Sequence, residues 1–372
     1  MNTSQPIYLP GLNGIRAIAA ICVVISHCNI ALSEFGIYNL SLFGFNKDHN
    51  PNGWWFGAQA VTMFFVLSGF LITYLLCVEY EKKKDVKIKN FYIRRLLRIW
   101  PAYFLYILLA IIGVYVFNDL FPSINILFYI FFLANIPYAL NSTVSLMGHL
   151  WSISVEEQFY LFWPWFFKKN NKKKLKHLFI ILIILQFLIR VILWLFFPGS
   201  FIAMLSSVSR FDCMMIGGLF AILFLEKSVI TNIMDNKLVQ FGNWILLAII
   251  MFINLKFLNQ LVTIYLVCLC VSIIIIGQIS VVNRIINLEI SLLEELGKLS
   301  YGIYIYHPLV IFLFSKTGIF EQITDTYVKF ASVFASVLIT TFGFSFISYN
   351  LYEKNFLKLK AKFMIVKSKS TR

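Results

Sequence analysis

The sequence predicts an all-α fold, a polytopic bundle of about ten transmembrane helices. Of 372 residues, 60% are hydrophobic and 13% are charged, whereas roughly 25% of a soluble domain is charged. Apolar runs of about 20 residues, the length that crosses a bilayer as a helix, recur along the whole chain. A soluble protein of this composition could not cover its surface with polar groups. We therefore exclude the soluble classes and expect one membrane-embedded domain over residues 1–372.

Ten spans are predicted in chain order, at 12–32, 54–78, 99–118, 148–167, 178–197, 207–226, 238–255, 261–278, 299–316 and 327–350. The apolar stretch 124–139 is ambiguous, because counting it as a span would put the basic segments 81–98 and 168–177 on opposite sides. Lysine and arginine concentrate on the cytoplasmic side of membrane proteins. We therefore expect 124–139 to be a re-entrant or interfacial element on the outer side.

The lysines and arginines also decide the orientation. With both termini cytoplasmic, 25 of the 32 lie in inner segments, 3 lie in outer loops and the others lie within spans. We expect a multi-pass protein of the plasma (inner) membrane, with a core at about 8–353 and a basic cytoplasmic tail at 354–372 that contacts anionic lipid. The net charge of +15 does not indicate nucleic acid, because spans interrupt the basic residues and no nucleic-acid motif is present.

The first span contains two ionisable residues, Arg16 and His27, in GLNGIRAIAAICVVISH. Burying an ionisable side chain in a bilayer costs free energy, so each of these two residues is a candidate for a functional role. Eleven residues are almost a whole number of helical turns, which places both side chains on one face, roughly 16 Å apart along the axis. An apolar run that contains an arginine is a poor signal-peptide core. We expect a retained span that borders an internal polar cavity.

Three arginines, Arg94, Arg95 and Arg98, lie where a basic segment enters the third span. Guanidinium groups present forked donors that suit phosphate. Anchoring of the cytoplasmic side explains them too, and both interpretations stay open here.

The fourth span carries His149, Glu156 and Tyr160 at spacings of seven and four, so these residues share a helix face. Two adjacent glutamates, 156 and 157, cannot both face lipid, and at least one must face a polar interior, where it could pair with Arg16 or Arg210. A role for Glu156 as a general base or substrate-orienting group and a structural ion pair both remain open.

Further candidates for substrate binding are Arg210 and Asp212, which open the sixth span, and His307, which precedes a proline in the ninth. Snorkelling to the interface explains Arg210 equally well, and His307 could instead be a hydrogen-bonded residue of a helix kink. Gly217 and Gly218 would let another helix approach closely. The six cysteines lack metal-ligand spacing, so we expect core residues and no metal.

Five segments carry a family resemblance, in the order LPGLNGIRAIAAICVVISH, FFVLSGFLIT, FYIRRLLRIWPAYF, HLWSISVEEQFY and SYGIYIYHPLV. Together they resemble the acyltransferase family 3 of integral-membrane acyltransferases over nearly the whole chain. The resemblance implies an acyl-CoA, usually acetyl-CoA, as donor co-substrate and hydroxyls of extracytoplasmic glycans as acceptors. The family's arginine and histidine separated by ten residues fall on Arg16 and His27, and its cytoplasmic arginine motif falls on Arg94, Arg95 and Arg98.

Two features depart from the family pattern. Relatives commonly have aspartate where Asn13 stands, and some carry a C-terminal extracytoplasmic hydrolase-like domain. Here the chain stops after its tenth span. We expect any such domain to be a separate protein or unnecessary.

The resemblance and the residue pattern together predict transfer of an acyl group, in particular acetyl, from cytoplasmic acyl-CoA to a hydroxyl of an extracytoplasmic glycan or related envelope molecule. The phosphates would lie at the arginines and the thioester near His27, which acts as a general base or carries the acyl group covalently. Arg16 and Glu156 complete the expected catalytic set, and the expected acceptor contacts are His149, Tyr160, Arg210, Asp212 and His307.

Two other classes remain as alternatives, and the oligomeric state stays open. A transporter of a polar or acylated small molecule would also place ionisable residues at membrane depth, but it should show paired halves with broken helices. A lipid-binding or structural protein would not explain Arg16 and His27 on one face.

Overall fold

The computed structural model describes residues 8–117, 124–168, 171–253 and 260–364. Regular structure within these ranges is helical, and the only β-pairing there is an isolated bridge between Phe45 and Pro51. The α-helices are α1 Leu12–Ile30, α2 Trp54–Lys83, α3 Ile88–Val116, α4 Ile126–Ile130, α5 Asn135–Ala139, α6 Trp151–Phe167, α7 Lys172–Phe196, α8 Phe201–Val208, α9 Phe211–Leu225, α10 Val229–Met234, α11 Lys237–Phe252, α12 Gln260–Ser280, α13 Ser291–Thr317, α14 Thr326–Ser348 and α15 Lys354–Ala361.

Three irregular turns complete these helices. The 3₁₀ turn Ala31–Phe35 extends α1, and the 3₁₀ turn Gly148–Leu150 leads into α6. A π-helical turn, Tyr349–Glu353, joins α14 to α15.

Seven helical stretches of the described chain are long and apolar enough to cross a membrane. They coincide with seven of the ten predicted spans, and the other three fall on α6, α11 and α13. The predicted polytopic helical bundle is confirmed. The last residues of the predicted third and seventh spans, Lys256 and the tail beyond residue 364 lie outside the described residues.

Helix α2 lies at the centre of the bundle and packs against α1, α9 and α12, while α13 packs against α1 and α14. Glycines set the closest crossing. A Cβ atom on Gly217 of α9 would lie 2.0 Å from the carbonyl oxygen of Val66, and one on Gly69 of α2 would lie 1.9 Å from that of Met214. The predicted close approach at Gly217 is confirmed, because only a residue without a side chain fits there.

Helix α7 lies at the periphery. It buries only Leu175, Phe179 and Arg190, and most of its remaining surface consists of exposed isoleucine, leucine and phenylalanine. An apolar surface of this kind is stable against lipid tails but not against water.

Helix α3 begins eleven residues before the predicted third span, at Ile88 instead of 99. A hydropathy scan detects the apolar part of a helix, whereas the helix itself continues through charged residues. Arg94, Arg95 and Arg98 therefore lie on α3 and not in a loop. The carboxylate of Glu79 accepts the backbone N–H of Lys87 just before the helix begins (2.9 Å).

The predicted sixth span is broken into α8 and α9 at Ser209 and Arg210. The carbonyl oxygens freed near the break are satisfied by α7, because Gln186 Nε2 donates to Ser209 O (2.8 Å) and Arg190 Nε donates to Ser206 O (3.1 Å). Irregular backbone at membrane depth is tolerated only where protein or a cavity supplies such partners.

The ambiguous stretch 124–139 forms two five-residue helices, α4 and α5. Each is about 7.5 Å long at 1.5 Å per residue, so neither crosses a bilayer. The Tyr103 hydroxyl of α3 donates to Tyr129 O (2.8 Å), and the Tyr129 hydroxyl accepts the N–H of Val144 (3.1 Å). This stretch is thus tied to the middle of α3 and does not form a spanning helix, as the charge distribution predicted.

Candidate active site

Two cavities in the described part of the bundle are lined by most of the candidate site residues. The first, called here the histidine cavity, has a volume of about 1770 Å³ and is lined by His27, His149, Arg190 and Arg210 among others. The second, the arginine cavity, has a volume of about 420 Å³, and its charged and hydroxyl-bearing lining includes Arg16, Arg94, Arg95, Arg98, Glu156, Tyr160, Glu353 and Lys360.

The two ionisable residues of α1 face different cavities, since Arg16 lines the arginine cavity and His27 lines the histidine cavity. The internal space expected beside α1 is thus divided between two cavities. Val61 and Tyr304 line both cavities and separate them. The Tyr304 hydroxyl donates to His149 O (2.9 Å) and lies 2.6 Å from Ser152 Oγ, which ties this wall to α6.

His27 is held by a second histidine that sequence spacing did not connect with it. Its Nδ1 lies 2.7 Å from Nε2 of His307 on α13, and His307 Nδ1 lies 3.2 Å from the carbonyl oxygen of Ile303. A carbonyl only accepts, so His307 Nδ1 carries hydrogen. When both rings are neutral, each has one donor and one acceptor. His307 Nε2 is then the acceptor, His27 Nδ1 the donor, and His27 Nε2 keeps its lone pair.

His149 completes a cluster of three imidazoles. Its ring centre lies 5.5 Å from that of His307, and its Nε2 lies 3.2 Å from Ile305 O. Its ring centre lies 5.1 Å from that of Tyr106 of α3, and the two rings are perpendicular. His149 therefore lies on the wall of the histidine cavity, at the start of α6 and away from Glu156.

In the arginine cavity, Arg94 donates to Glu79 Oε2 (3.0 Å) and to Phe363 O (3.0 Å). Arg95 lies over the ring of Tyr160 at 5.3 Å, and its buried Nε makes no hydrogen bond in the described part of the chain. Arg16 donates to Asn13 Oδ1 at 3.4 Å. Asn13 in turn donates to Glu294 Oε2 (2.8 Å), which an aspartate could do only when protonated.

Glu156 accepts hydrogen bonds from Ser68 Oγ (2.9 Å) and from the Tyr160 hydroxyl (3.0 Å). The predicted common face of Glu156 and Tyr160 is therefore confirmed. Of the two possible partners, Arg210 does not pair with Glu156, because Arg210 lines the other cavity. Arg16 and Arg95 are close enough to act on the Glu156 carboxylate electrostatically, yet no ion pair joins them among the described residues.

Asp212 lies outside both cavity linings. Its Oδ2 accepts from Arg190 Nη1 (2.5 Å) and from the Tyr265 hydroxyl (2.7 Å), so it joins α7, α9 and α12. Arg210 instead donates through Nη1 to Ala58 O (3.0 Å) and Thr62 Oγ1 (2.7 Å), and its buried Nε makes no hydrogen bond among the described residues. Of this expected pair, only Arg210 reaches the cavity.

Sequence reasoning missed Arg190, Tyr304 and Lys360 as lining residues. Arg190 had a detectable signal, since an arginine inside an apolar span is itself unusual. Tyr304 stands in the tyrosine-rich motif SYGIYIYHPLV, where nothing distinguishes it from its neighbours. Lys360 was one of seven basic residues assigned to a tail.

The arginine cavity is rich in positive charge. Six cations line it, namely Arg16, Arg94, Arg95, Arg98, Lys298 and Lys360, against three carboxylates, Glu79, Glu156 and Glu353. Glu79 is already paired with Arg94. A partly enclosed site with such an excess attracts anions, and guanidinium groups favour phosphate.

Comparison with known proteins is consistent with this geometry. The peptidoglycan O-acetyltransferase OatA of Listeria monocytogenes is 31% identical over 186 residues, which are 45% of this chain and 26% of that protein. The O-acetyltransferase OatA of Staphylococcus aureus strain MRSA252 is 26% identical over 98% of this chain and 60% of that protein. The chain thus spans between about a quarter and 60% of these relatives. No solved structure matches it.

A family model described as an acyltransferase domain matches residues 9–350. The matched range contains the three-histidine cluster, the wall at Tyr304 and the arginines of α3. The chain belongs to the acyltransferase family 3.

Proposed function

We propose that this chain is an integral-membrane O-acyltransferase that moves an acetyl group from acetyl-CoA to a hydroxyl of a cell-envelope glycan. One observation carries the proposal: a cation-rich cavity and a cavity containing a base-competent imidazole meet at a single wall, Val61 and Tyr304. A donor with a phosphorylated end and a reactive end needs such a pair of chambers.

The donor would bind with its phosphates at Arg94, Arg95 and Arg98. These arginines lie on the basic side of the bundle, where residues 79–98 alone carry eight lysines and arginines. By the positive-inside rule this side is cytoplasmic, and the cytoplasm contains CoA. The pantetheine arm would then extend past Arg16 toward Tyr304.

His27 would act on the acceptor through Nε2. As a general base it takes the proton of the acceptor hydroxyl while the oxygen bonds to the acyl carbonyl carbon and the carbon–sulfur bond breaks. The proton then passes to the CoA sulfur. In a two-step route, the same lone pair bonds to the acyl carbonyl carbon as the carbon–sulfur bond breaks and CoA leaves as the thiolate. The acceptor oxygen then bonds to that carbon as the carbon–nitrogen bond breaks, and the proton of the hydroxyl passes to the CoA sulfur. Both routes need the orientation of the ring that His307 imposes.

The acceptor would enter the histidine cavity from the extracytoplasmic side of the plasma membrane. The cavity offers hydrogen-bonding groups at Arg210 and His149 beside a mainly apolar lining, an arrangement typical of small-molecule and sugar sites. Both relatives are named O-acetyltransferases, one of them a peptidoglycan O-acetyltransferase. A sugar hydroxyl of a wall polymer or its precursor therefore fits best.

Purified protein in liposomes tests the proposal directly. Acetyl-CoA labelled in the acetyl group is supplied with peptidoglycan fragments as acceptors, and base-labile acetyl ester is measured by mass spectrometry. We expect ester formation with wild-type protein. Its absence, together with unchanged envelope acetylation in cells that lack the gene, would contradict the assignment.

A further inference from the structure

Helix α15 does not extend away from the bundle as a tail. It continues α14 through the π-helical turn and packs against α3. Arg94 Nη1 donates to the carbonyl oxygen of Phe363 at 3.0 Å, which holds the end of α15 beside the arginines. The carboxylate of Glu353, in the turn, accepts from Ser348 Oγ (3.0 Å) and lines the arginine cavity.

The π-helical turn determines which lysine of α15 faces the cavity. A π-turn adds about one residue to a helix and rotates all later residues by about 100°. Lys360 lines the arginine cavity, whereas Lys358, two residues earlier and about 200° around the axis, is exposed.

Lys360 adds a further positive charge to a site that already holds four arginines and Lys298, of which Lys298 is paired with Glu295. Arg16, Arg94, Arg95 and Arg98 line the same cavity and carry charge of the same sign as the Lys360 ammonium group. Its Nζ pairs with no carboxylate in the described part of the chain. The three carboxylates of the cavity, Glu79, Glu156 and Glu353, are fewer than its cations, and such an excess of like charge is unfavourable unless an anion binds among them.

We infer that Lys360 is a further donor-binding residue: it binds a phosphate of the acyl-CoA together with the arginines of α3, and α15 thereby forms part of the donor site. This inference rests on the proposed function, since it takes the arginine cavity as the donor site. Lysine supplies a compact charge to phosphate, while the arginines supply planar forks.

The test is CoA binding to purified full-length protein, measured by titration calorimetry. The protein is held in detergent, so that anionic lipid makes no contribution. Lys360→Gln removes the charge inside the cavity, and Lys358→Gln removes the same charge from the opposite face of the same helix. We expect Lys360→Gln to weaken CoA binding about tenfold, with Lys358→Gln unchanged and Lys360→Arg close to wild type. In turnover, Lys360→Gln should raise KM for acetyl-CoA with kcat little changed.

Equal weakening by both glutamine variants would overturn the inference, because it would indicate general electrostatic attraction. Wild-type affinity in Lys360→Gln, alongside weakened binding in Arg98→Gln, would overturn it while leaving the arginine donor site intact. Absence of CoA binding to the wild-type protein would overturn the proposed donor and this inference together. If Lys360→Gln is not monodisperse, Lys360→Met with the Lys358→Met control repeats the comparison.

Discussion

His27 is the residue on which the proposed chemistry depends. Its ring lies in the histidine cavity, its Nδ1 is engaged 2.7 Å from His307, and its centroid lies 6.1 Å from that of Trp54. One nitrogen is therefore fixed and the other faces the space where an acceptor hydroxyl could lie. Base catalysis depends on this geometry as much as on basicity.

The substitution His27→Ala should reduce the rate of acetyl transfer by about 10²- to 10⁴-fold, which is the usual contribution of a positioned base. CoA affinity should stay near wild type, because the arginine cavity is separate. Rates of ester formation and calorimetric CoA binding are measured in parallel. His177→Ala, an exposed imidazole on α7, is the control and should retain full activity. Near-normal transfer by His27→Ala would remove His27 from the mechanism.

His307 should act through His27. In His307→Phe, a ring of similar size remains but the acceptor for His27 Nδ1–H is lost, so we expect kcat to fall about tenfold or more, the value of one hydrogen bond in this setting. Tyr306→Phe is a matched control, since it removes a buried hydroxyl that bonds Ser348 and leaves His27 untouched. An unchanged kcat in His307→Phe would show that the contact does not orient the base.

Arg95 and Arg98 distinguish phosphate binding from simple anchoring. Lysine keeps the charge but loses the planar fork and the stacking of Arg95 on Tyr160. Removing either charge should cost about 1.5–3 kcal/mol, or about ten- to a hundredfold in acetyl-CoA affinity, and we expect Arg95→Lys and Arg98→Lys to restore that affinity only in part. Membrane orientation, which responds to either cation, should not change. Unchanged affinity in both variants would exclude the phosphate-binding role.

Among the helix contacts, the crossing of α2 and α9 leaves the least space for an added side-chain atom. Gly217→Ala would place a Cβ atom 2.0 Å from Val66 O, so the helices must separate along much of their contact. We expect destabilisation of about 1–3 kcal/mol from overpacking, seen as a lower Tm of the purified protein.

The control for this crossing is Gly242→Ala in α11, where no atom lies within 4 Å of the added Cβ. Alanine is the better helix former by about 1 kcal/mol, so this variant should match or exceed the wild-type Tm. Equal behaviour of the two variants would indicate that the crossing is looser than the structure shows.

Broken and irregular helices lie at the site. The break between α8 and α9 places Arg210 at the N-cap of α9. The π-helical turn directs α15 against α3. Both interruptions bring charged side chains to a cavity instead of to lipid, where an unpaired charge is unfavourable.

For the whole molecule, orientation is the property that links the donor cavity to cytoplasmic CoA. Lys84→Cys, at the end of α2, should react with a membrane-impermeant maleimide only after cells are permeabilised, because it lies among the inner basic residues. Lys47→Cys, exposed in the loop between α1 and α2, should react in intact cells. The wild-type protein gives the background of its own thiols. The opposite labelling pattern would reverse the topology and rule out donor entry from the cytoplasm.

Composition and spacing alone determined the class of the fold. Apolar length and the distribution of lysine and arginine are local properties, and they predicted the polytopic bundle, the non-spanning stretch 124–139 and the close crossing at Gly217. The family motif likewise marked Arg16, His27 and the arginines of α3 as one set before any contact was known.

Tertiary packing alone decided which of these residues meet. The ring nitrogens of His27 and His307, residues that are 280 positions apart, lie 2.7 Å from each other. Lys360 lines the same cavity as Arg94 and Arg98 only because the helix after α14 folds against α3. Asp212, which the sequence analysis grouped with Arg210, forms an ion pair with Arg190 instead. Helix periodicity reports the face on which a side chain lies, but the partner on that face depends on how separate helices cross and where each one breaks. That information lies in long-range packing, and no local pattern of residues contains it.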